Sequence, residues 1–196
     1  MSKGLDSAKS LIDYAGTLVQ EGYTFAARYY FNASSFKDRL EAAEATHLSA
    51  QKVYLVSIWE TGYPTSADYF TSGQGKSDGA HAAAQAKAAG QPKGSPIYFA
   101  ADYDSTPSDI VSYATEFQTA VKAAGYLAGI YGNGVTCHLL KERGLVSYTW
   151  LSQSTGFQGY SAWKPHANIV QTAEFNWHGF DVDGDTASGD SGGWRV

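Results

Sequence analysis

Five acids stand at or just beyond the ends of apolar runs in this 196-residue chain: Asp6, Glu60, Asp102, Asp104 and Asp181. Carboxylates gathered at one place can divide the work of a hydrolysis. One donates a proton while another acts as base, nucleophile or charge stabiliser. The same run ends carry Tyr29, Trp59, Tyr131, Asn133, Trp150 and Gln171. Aromatic faces stack on sugar rings, and amides hold hydroxyl groups. Acids, amides and aromatics without lysine or a partnered serine suit sugar chemistry, so a polysaccharide is the expected partner.

The stretch Pro96–Asp104 (Pro-Ile-Tyr-Phe-Ala-Ala-Asp-Tyr-Asp) is the centre of that reading. A strand turns alternate side chains to opposite faces, so Tyr98, Ala100, Asp102 and Asp104 share one of them. A small alanine followed by two acids suits the mouth of a pocket better than a plain core face. Thr106-Pro-Ser-Asp109 then starts a helix, with Pro107 at its first position.

Several chemistries are disfavoured. The histidines (His47, His81, His138, His166, His178) fall on no strand end and make no HExxH pair, so no metal ligand set is expected. Asp181, Asp183 and Asp185 alternate like the start of a calcium loop, but the glycine and glutamate that such a loop needs are misplaced. A Gly-x-Ser-x-Gly elbow and a phosphate loop are both missing, and no cofactor is implied. Cys137 is the single cysteine, so no internal disulfide can form. The formal net charge of −5, with no basic patch, argues against nucleic acid. No apolar run reaches the roughly 18 residues of a membrane span, and no secretory leader precedes Leu5. Action at a cell wall would then require phage delivery or another export route.

Hydrophobic patterning predicts strands near 3–8, 23–30, 52–60, 96–104, 127–133, 147–153, 167–173 and 179–185. Helices are predicted over 7–20, 35–47, 77–89, 108–124 and 136–143, with Ser35-Phe-Lys-Asp38 as a capping signal. Residues 61–76 read as a long polar and aromatic loop, and 154–166 as too rich in glycine and tryptophan for a firm helix. Eight strands alternating with helices point to α/β architecture with a parallel sheet. The expectation is an irregular (β/α)8 TIM-type barrel over 1–186 with abbreviated late helices, since the chain is short for that fold. Residues 187–196 read as a flexible Gly/Ser-rich tail or a linker to further domains. A doubly wound open sheet would need a glycine-rich first turn, which Asp6-Ser-Ala-Lys9 does not provide.

The ordered set Gly4-Leu-Asp6, Gly22-Tyr-Thr-Phe-Ala-Ala-Arg-Tyr29, Pro96–Asp104, Gly125-Tyr126, Gly129-Ile-Tyr-Gly132, Trp150 with Gln171, and Phe180-Asp-Val-Asp183 resembles a known domain. It is the glycoside-hydrolase-like barrel catalogued as domain of unknown function 1906, a relative of the family-25 glycoside hydrolases, the lysozymes. The resemblance implies a (β/α)8 barrel and bacterial or phage cell-wall glycan as substrate class. By position it makes Asp6 the acid of the first strand and Asp181 that of the last. Asp102 is the first acid of the Asp-x-Glu pair on the fourth strand. Asp104 stands where that pair has its catalytic glutamate. An aspartate there draws the carboxyl back by roughly 1.5 Å, a displacement that can cost ~10²-fold in rate. Glu60 on the neighbouring strand could serve as the acid instead.

The expected function is a peptidoglycan muramidase working through Asp6, Glu60, Asp102, Asp104 and Asp181, with Tyr29, Trp59, Tyr131, Asn133, Trp150 and Gln171 lining the sugar groove. The competing reading is a catalytically weak barrel that binds cell-wall glycan without cutting it. A deacetylase or phosphodiesterase is disfavoured by the lack of histidines.

Overall fold

A computed structural model describes residues 1–32 and 37–196. The expected capping signal at 35–38 lies partly outside the described residues. Eight strands close a barrel in sequence order: β1 (Ser2–Asp6), β2 (Phe25–Tyr30), β3 (Tyr54–Trp59), β4 (Pro96–Ala100), β5 (Leu127–Gly132), β6 (Tyr148–Leu151), β7 (Ile169–Trp177) and β8 (Phe180–Ala187). The helices between them are α1 (Ala15–Gln20), α2 (Ala42–Ala50), α3 (Gln74–Ala88), α4 (Pro107–Ala123), α5 (Gly134–Glu142) and α6 (Tyr160–Trp163). The late helices are short, as expected. No helix among the described residues is long and apolar enough to cross a membrane.

The sheet is not wholly parallel. β8 runs antiparallel to both β7 and β1. A two-residue turn, His178-Gly179, joins β7 to β8. Both of its residues have positive φ (49° and 92°), the geometry that matches the right-handed twist of a hairpin. Only glycine reaches this region without cost, so His178 is the strained partner. Between Gln171 and Glu174 the pairing shifts by a bulge. The hairpin arm beyond it packs Trp177 against Tyr14 and Tyr23, and Phe180 against Tyr14, beside α1.

Alternation along each strand makes two cores. Leu5, Leu55, Trp59, Ile97, Phe99 and Ile130 point outward under the helices. Phe25, Val56, Ile58, Tyr98, Trp150 and Ile169 fill the barrel. The helix start foreseen at Thr106 is present: Pro107 opens α4, and the Asp109 carboxylate accepts the Thr106 N–H at 2.8 Å. α3 and α4 approach closely because a side chain at Gly75 or Gly79 would collide with backbone of Tyr113 or Phe117.

One ion pair organises the wall around β2. Arg28 and Glu44 are buried and joined at 2.7 Å. Glu44 also accepts the Leu11 N–H, while Arg28 donates to the carbonyls of Ser7 and Asp38. The pair therefore fixes the β1 exit, α2 and the segment that carries Lys37.

The tail is packed, contrary to the expectation of a flexible appendage. Trp194 is 3% exposed, exchanges both backbone hydrogen bonds with Leu55 and donates its indole N–H to Ser57. The Tyr98 hydroxyl, pointing down the barrel, donates to the Ser191 carbonyl. Glycine and serine here serve close backbone packing rather than mobility. The Val196 N–H reaches Ser49 at the end of α2. Both chain ends thus lie at the N-terminal end of the barrel.

Candidate active site

The carboxyl ends of β1–β6, with β7 and the incoming half of antiparallel β8, surround a cavity of about 220 Å³ lined by Tyr29, Lys37, Ile58, Glu60, Asp102, Tyr131, Trp150, Gln171 and Asp183. Asp6 lies beneath it, 3% exposed. With Asp6 included, every strand supplies an inward residue at or just past its rim. Among the described residues no group of three or more His, Cys, Asp or Glu is arranged to hold a metal ion. A larger hollow of about 460 Å³ between α5 and α6 is lined by His138, Trp163 and His166 and contains no acid.

Hydrogen bonds order the floor. The Tyr29 hydroxyl donates to Asp6 Oδ1 at 2.6 Å, and Gln171 Nε2 donates to Asp6 Oδ2 at 3.0 Å. Tyr131 donates to Gln171 Oε1 at 2.7 Å, so one amide couples Tyr131 to Asp6. Trp150 meets Tyr131 edge to face, with ring centroids 5.3 Å apart. Asp183 accepts from Gln153 Nε2 at 3.1 Å. Glu60 is ion-paired with Lys37, whose ammonium also lies 4.2 Å from the centre of the Tyr29 ring.

Burial, and for two of them a neighbouring acid, shifts the proton affinities of these carboxyls. Burial and the Asp183 charge raise Asp6 to about 7, against the pull of its two hydrogen bonds. Asp183 sits directly opposite Asp6 in the β1–β8 register and is raised to about 6, by burial first and then by Glu174. Asp102 is open to solvent on one side, yet the protein packed around its carboxyl raises it. Lys37 and the Tyr131 hydroxyl oppose that shift.

Asp6, Glu60, Asp102, Tyr29, Tyr131, Trp150 and Gln171 gather at the cavity or directly under it. Four other expected residues do not line it. Trp59 points outward, buried and stacked on His81 at 6.2 Å, because it precedes inward Glu60 and strand alternation sends neighbours to opposite faces. Asn133 caps α5 by accepting the Thr136 N–H, and donates to Asp104 and the Ser105 carbonyl. Asp104 accepts from Asn133 and from the Gln158 N–H, at 2.7 and 2.8 Å. It clasps three loops rather than facing the cavity. Asp181 lies exposed on the hairpin arm, where Asn176 donates to it.

Asp183 occupies the wall instead of Asp181. The reversal of β8 explains the two-residue offset, because this strand begins on the arm and enters the barrel only further on. Alternation had already placed Asp181, Asp183 and Asp185 on one face; which of them reached the rim depended on the strand's direction. Lys37 was not foreseen, since it comes from a loop rather than a strand end.

The molecule is a closed α/β barrel with acids gathered at one rim, an architecture that many chemistries share. The family model of the Rv2525c-like, glycoside hydrolase-like domain matches residues 16–187, and the chain belongs to that family. It is 26% identical over 196 residues to Rv2525c of Mycobacterium tuberculosis, provisionally named a peptidoglycan hydrolase, covering 90% of this chain and 80% of the relative. It is 28% identical over 175 residues to FadG of Bacillus subtilis, covering 84% of this chain but only 29% of that protein. The crystal structure of Tat-secreted Rv2525c with L-tartrate superposes with a TM-score of 0.84 at 23% identity, over 99% of both chains. The lysozyme of Streptomyces coelicolor superposes at 0.62 with 13% identity, over 97% of this chain and 93% of its own. At these identities the structural likeness speaks for the fold.

Proposed function

We propose that this domain hydrolyses a β-linked amino-sugar polymer of the bacterial cell wall, in the manner of a muramidase. The observation that carries the reading is the meeting of Glu60, Asp102 and Asp183 in one aromatic-walled cavity, with Asp6 beneath. The environments of these acids differ, which is what acid–base division of labour requires. Asp102 is held toward its protonated form at the mouth and is the proposed proton donor to the glycosidic oxygen. Glu60 faces the Lys37 ammonium and is the proposed carboxylate that supports positive charge on the sugar, or attacks it. Asp183 and Asp6, both raised by burial and by neighbouring charge, set the field around that pair. Tyr29, Tyr131 and Trp150 supply faces for a pyranose ring. Relatives named as a peptidoglycan hydrolase and a lysozyme support the substrate class.

A second reading has its own observation. Asp104, which the resemblance sets where the lysozymes have their catalytic glutamate, spends its carboxylate on Asn133 and Gln158. A barrel that has given up that acid could bind glycan without cutting it. Purified sacculi incubated with wild type, Glu60→Gln, Asp102→Asn and Asp183→Asn decide between the two. Release of reducing ends that falls in these variants supports hydrolysis. Pull-down without release, alike in all four proteins, supports binding alone.

A further inference from the structure

One acid in the barrel has no place in the foregoing scheme. Asp185 lies on β8, is 2% exposed, and neither of its oxygens has a partner at ordinary hydrogen-bond distance, the equally unpartnered Trp150 indole N–H being the donor that faces them. Burying a carboxyl in this way is costly unless it keeps its proton or finds a partner. In the register, Asp6 pairs with Asp183 and Gly4 with Asp185. Asp6 is therefore a diagonal neighbour of Asp185 on the inner face. On the other side Asp185 lies opposite Gln171, the residue that donates to Asp6. Asp183, Asp6 and Asp185 form a column from the mouth into the barrel.

We propose that Asp185 is a positioning residue of this site: it stays a neutral acid and directs its hydroxyl at Asp6, so that Asp6 works as a carboxylate fixed from three sides by Asp185, Tyr29 and Gln171. Both Asp6 oxygens already accept a hydrogen bond, from Tyr29 and Gln171. Of the two acids Asp6 is thus the one prepared to carry charge, and the shared proton belongs on Asp185. The groups that face Asp185 are Asp6 from β1, Asp183 from its own strand, Tyr98 from β4, and the neutral Trp150 and Gln171. None is basic. Burial first and then the Asp6 charge raise Asp185 well above its ordinary value, against the pull of the Trp150 indole N–H. The proton does not leave the pair; its place fixes which oxygens accept.

The role in catalysis rests on the proposed function; the proton count does not. Carboxyl-¹³C aspartate NMR of the whole chain, without any glycan, tests the count. Wild type should show Asp6 titrating near neutral pH, Asp183 somewhat below it, and one carboxyl later than both. Asp185→Asn should delete the later signal and leave the Asp6 midpoint nearly in place, since an amide N–H can donate as the acid did. Asp185→Ala should push the Asp6 midpoint up. Asp6→Asn, a second route if changes at position 185 prevent folding, should bring the Asp185 midpoint down. Survival of the latest signal in Asp185→Asn overturns the proposal. So does an Asp185 midpoint unmoved by Asp6→Asn, or an equal response of Asp6 to Ala and Asn. On sacculi, the acid limb of the pH–rate profile should move up in Asp185→Ala and be restored in Asp185→Asn. If the titrations hold and no glycan is cut, the proposed function fails while the assignment of Asp185 stands.

Discussion

At the scale of single residues, the site is a collection of acids that the fold holds at a cost. A carboxyl raised on folding binds its proton more tightly in the folded chain than in the unfolded one. Its stabilising contribution is complete below the unfolded value of about 4 and is lost as pH rises through the folded value. For Asp6 the folded value is about 7, and for Asp183 about 6. Stability should therefore fall between about pH 4 and pH 7, and thermal unfolding across that range measures it. Asp183→Asn removes the charge opposite Asp6 and should flatten the decline. At the mouth, Asp102→Asn should lower the proposed hydrolysis by roughly 10²–10⁴-fold, the usual worth of a positioned proton donor, the role proposed for Asp102. Asp104→Ala should act on the fold, costing about 1–3 kcal/mol as the Asn133 and Gln158 donors lose their acceptor; chemical denaturation reads this directly. The acids of β1, β3 and β4 were legible because each closes an apolar run. Trp59 was misread through neglect of alternation, and Asn133 and Asp104 because a residue after a strand can serve the next loop as readily as the cavity.

At the scale of elements, the site depends on contacts outside the barrel. Arg28 faces away from the cavity, yet with Glu44 it holds the segment bearing Lys37. Glu44→Ala would leave a buried guanidinium without its counter-charge, at a cost of about 3–5 kcal/mol. The loop after β3 is tied down at both ends. The Asp102 N–H donates to the Pro64 carbonyl at 2.9 Å, and Tyr69 and Tyr113 both donate to buried Asp78, at 2.5 and 2.7 Å. Helix periodicity and the Thr106-Pro107 start were readable, because local chemistry sets them. The Arg28–Glu44 pair was not, since residues 16 apart on a strand and a helix carry no mark of their meeting.

At the scale of the whole molecule, the barrel closes by reversing its last strand and tucking the final residues across its N-terminal end. Eight strands and their order followed from the alternation of apolar runs with helices. The reversal did not: a two-residue turn at His178-Gly179 signals a hairpin, but the expected strand ended at 173, and its continuation to Trp177 depends on packing against Tyr14 and Tyr23. The tail was misjudged because composition registers glycine and serine but not the single tryptophan among them. Trp194→Ala should cost about 3–5 kcal/mol, as for other buried aromatics, and lower the melting temperature while leaving the cavity residues in place.

The tucked tail has a practical corollary. Met1 and Val196 both leave from the side opposite the acids, so a bead, a fluorophore or a sensor chip coupled through either terminus would hold the mouth facing outward, clear of its own support. Under the proposed function, that orientation presents the cavity to intact sacculi without an engineered attachment point.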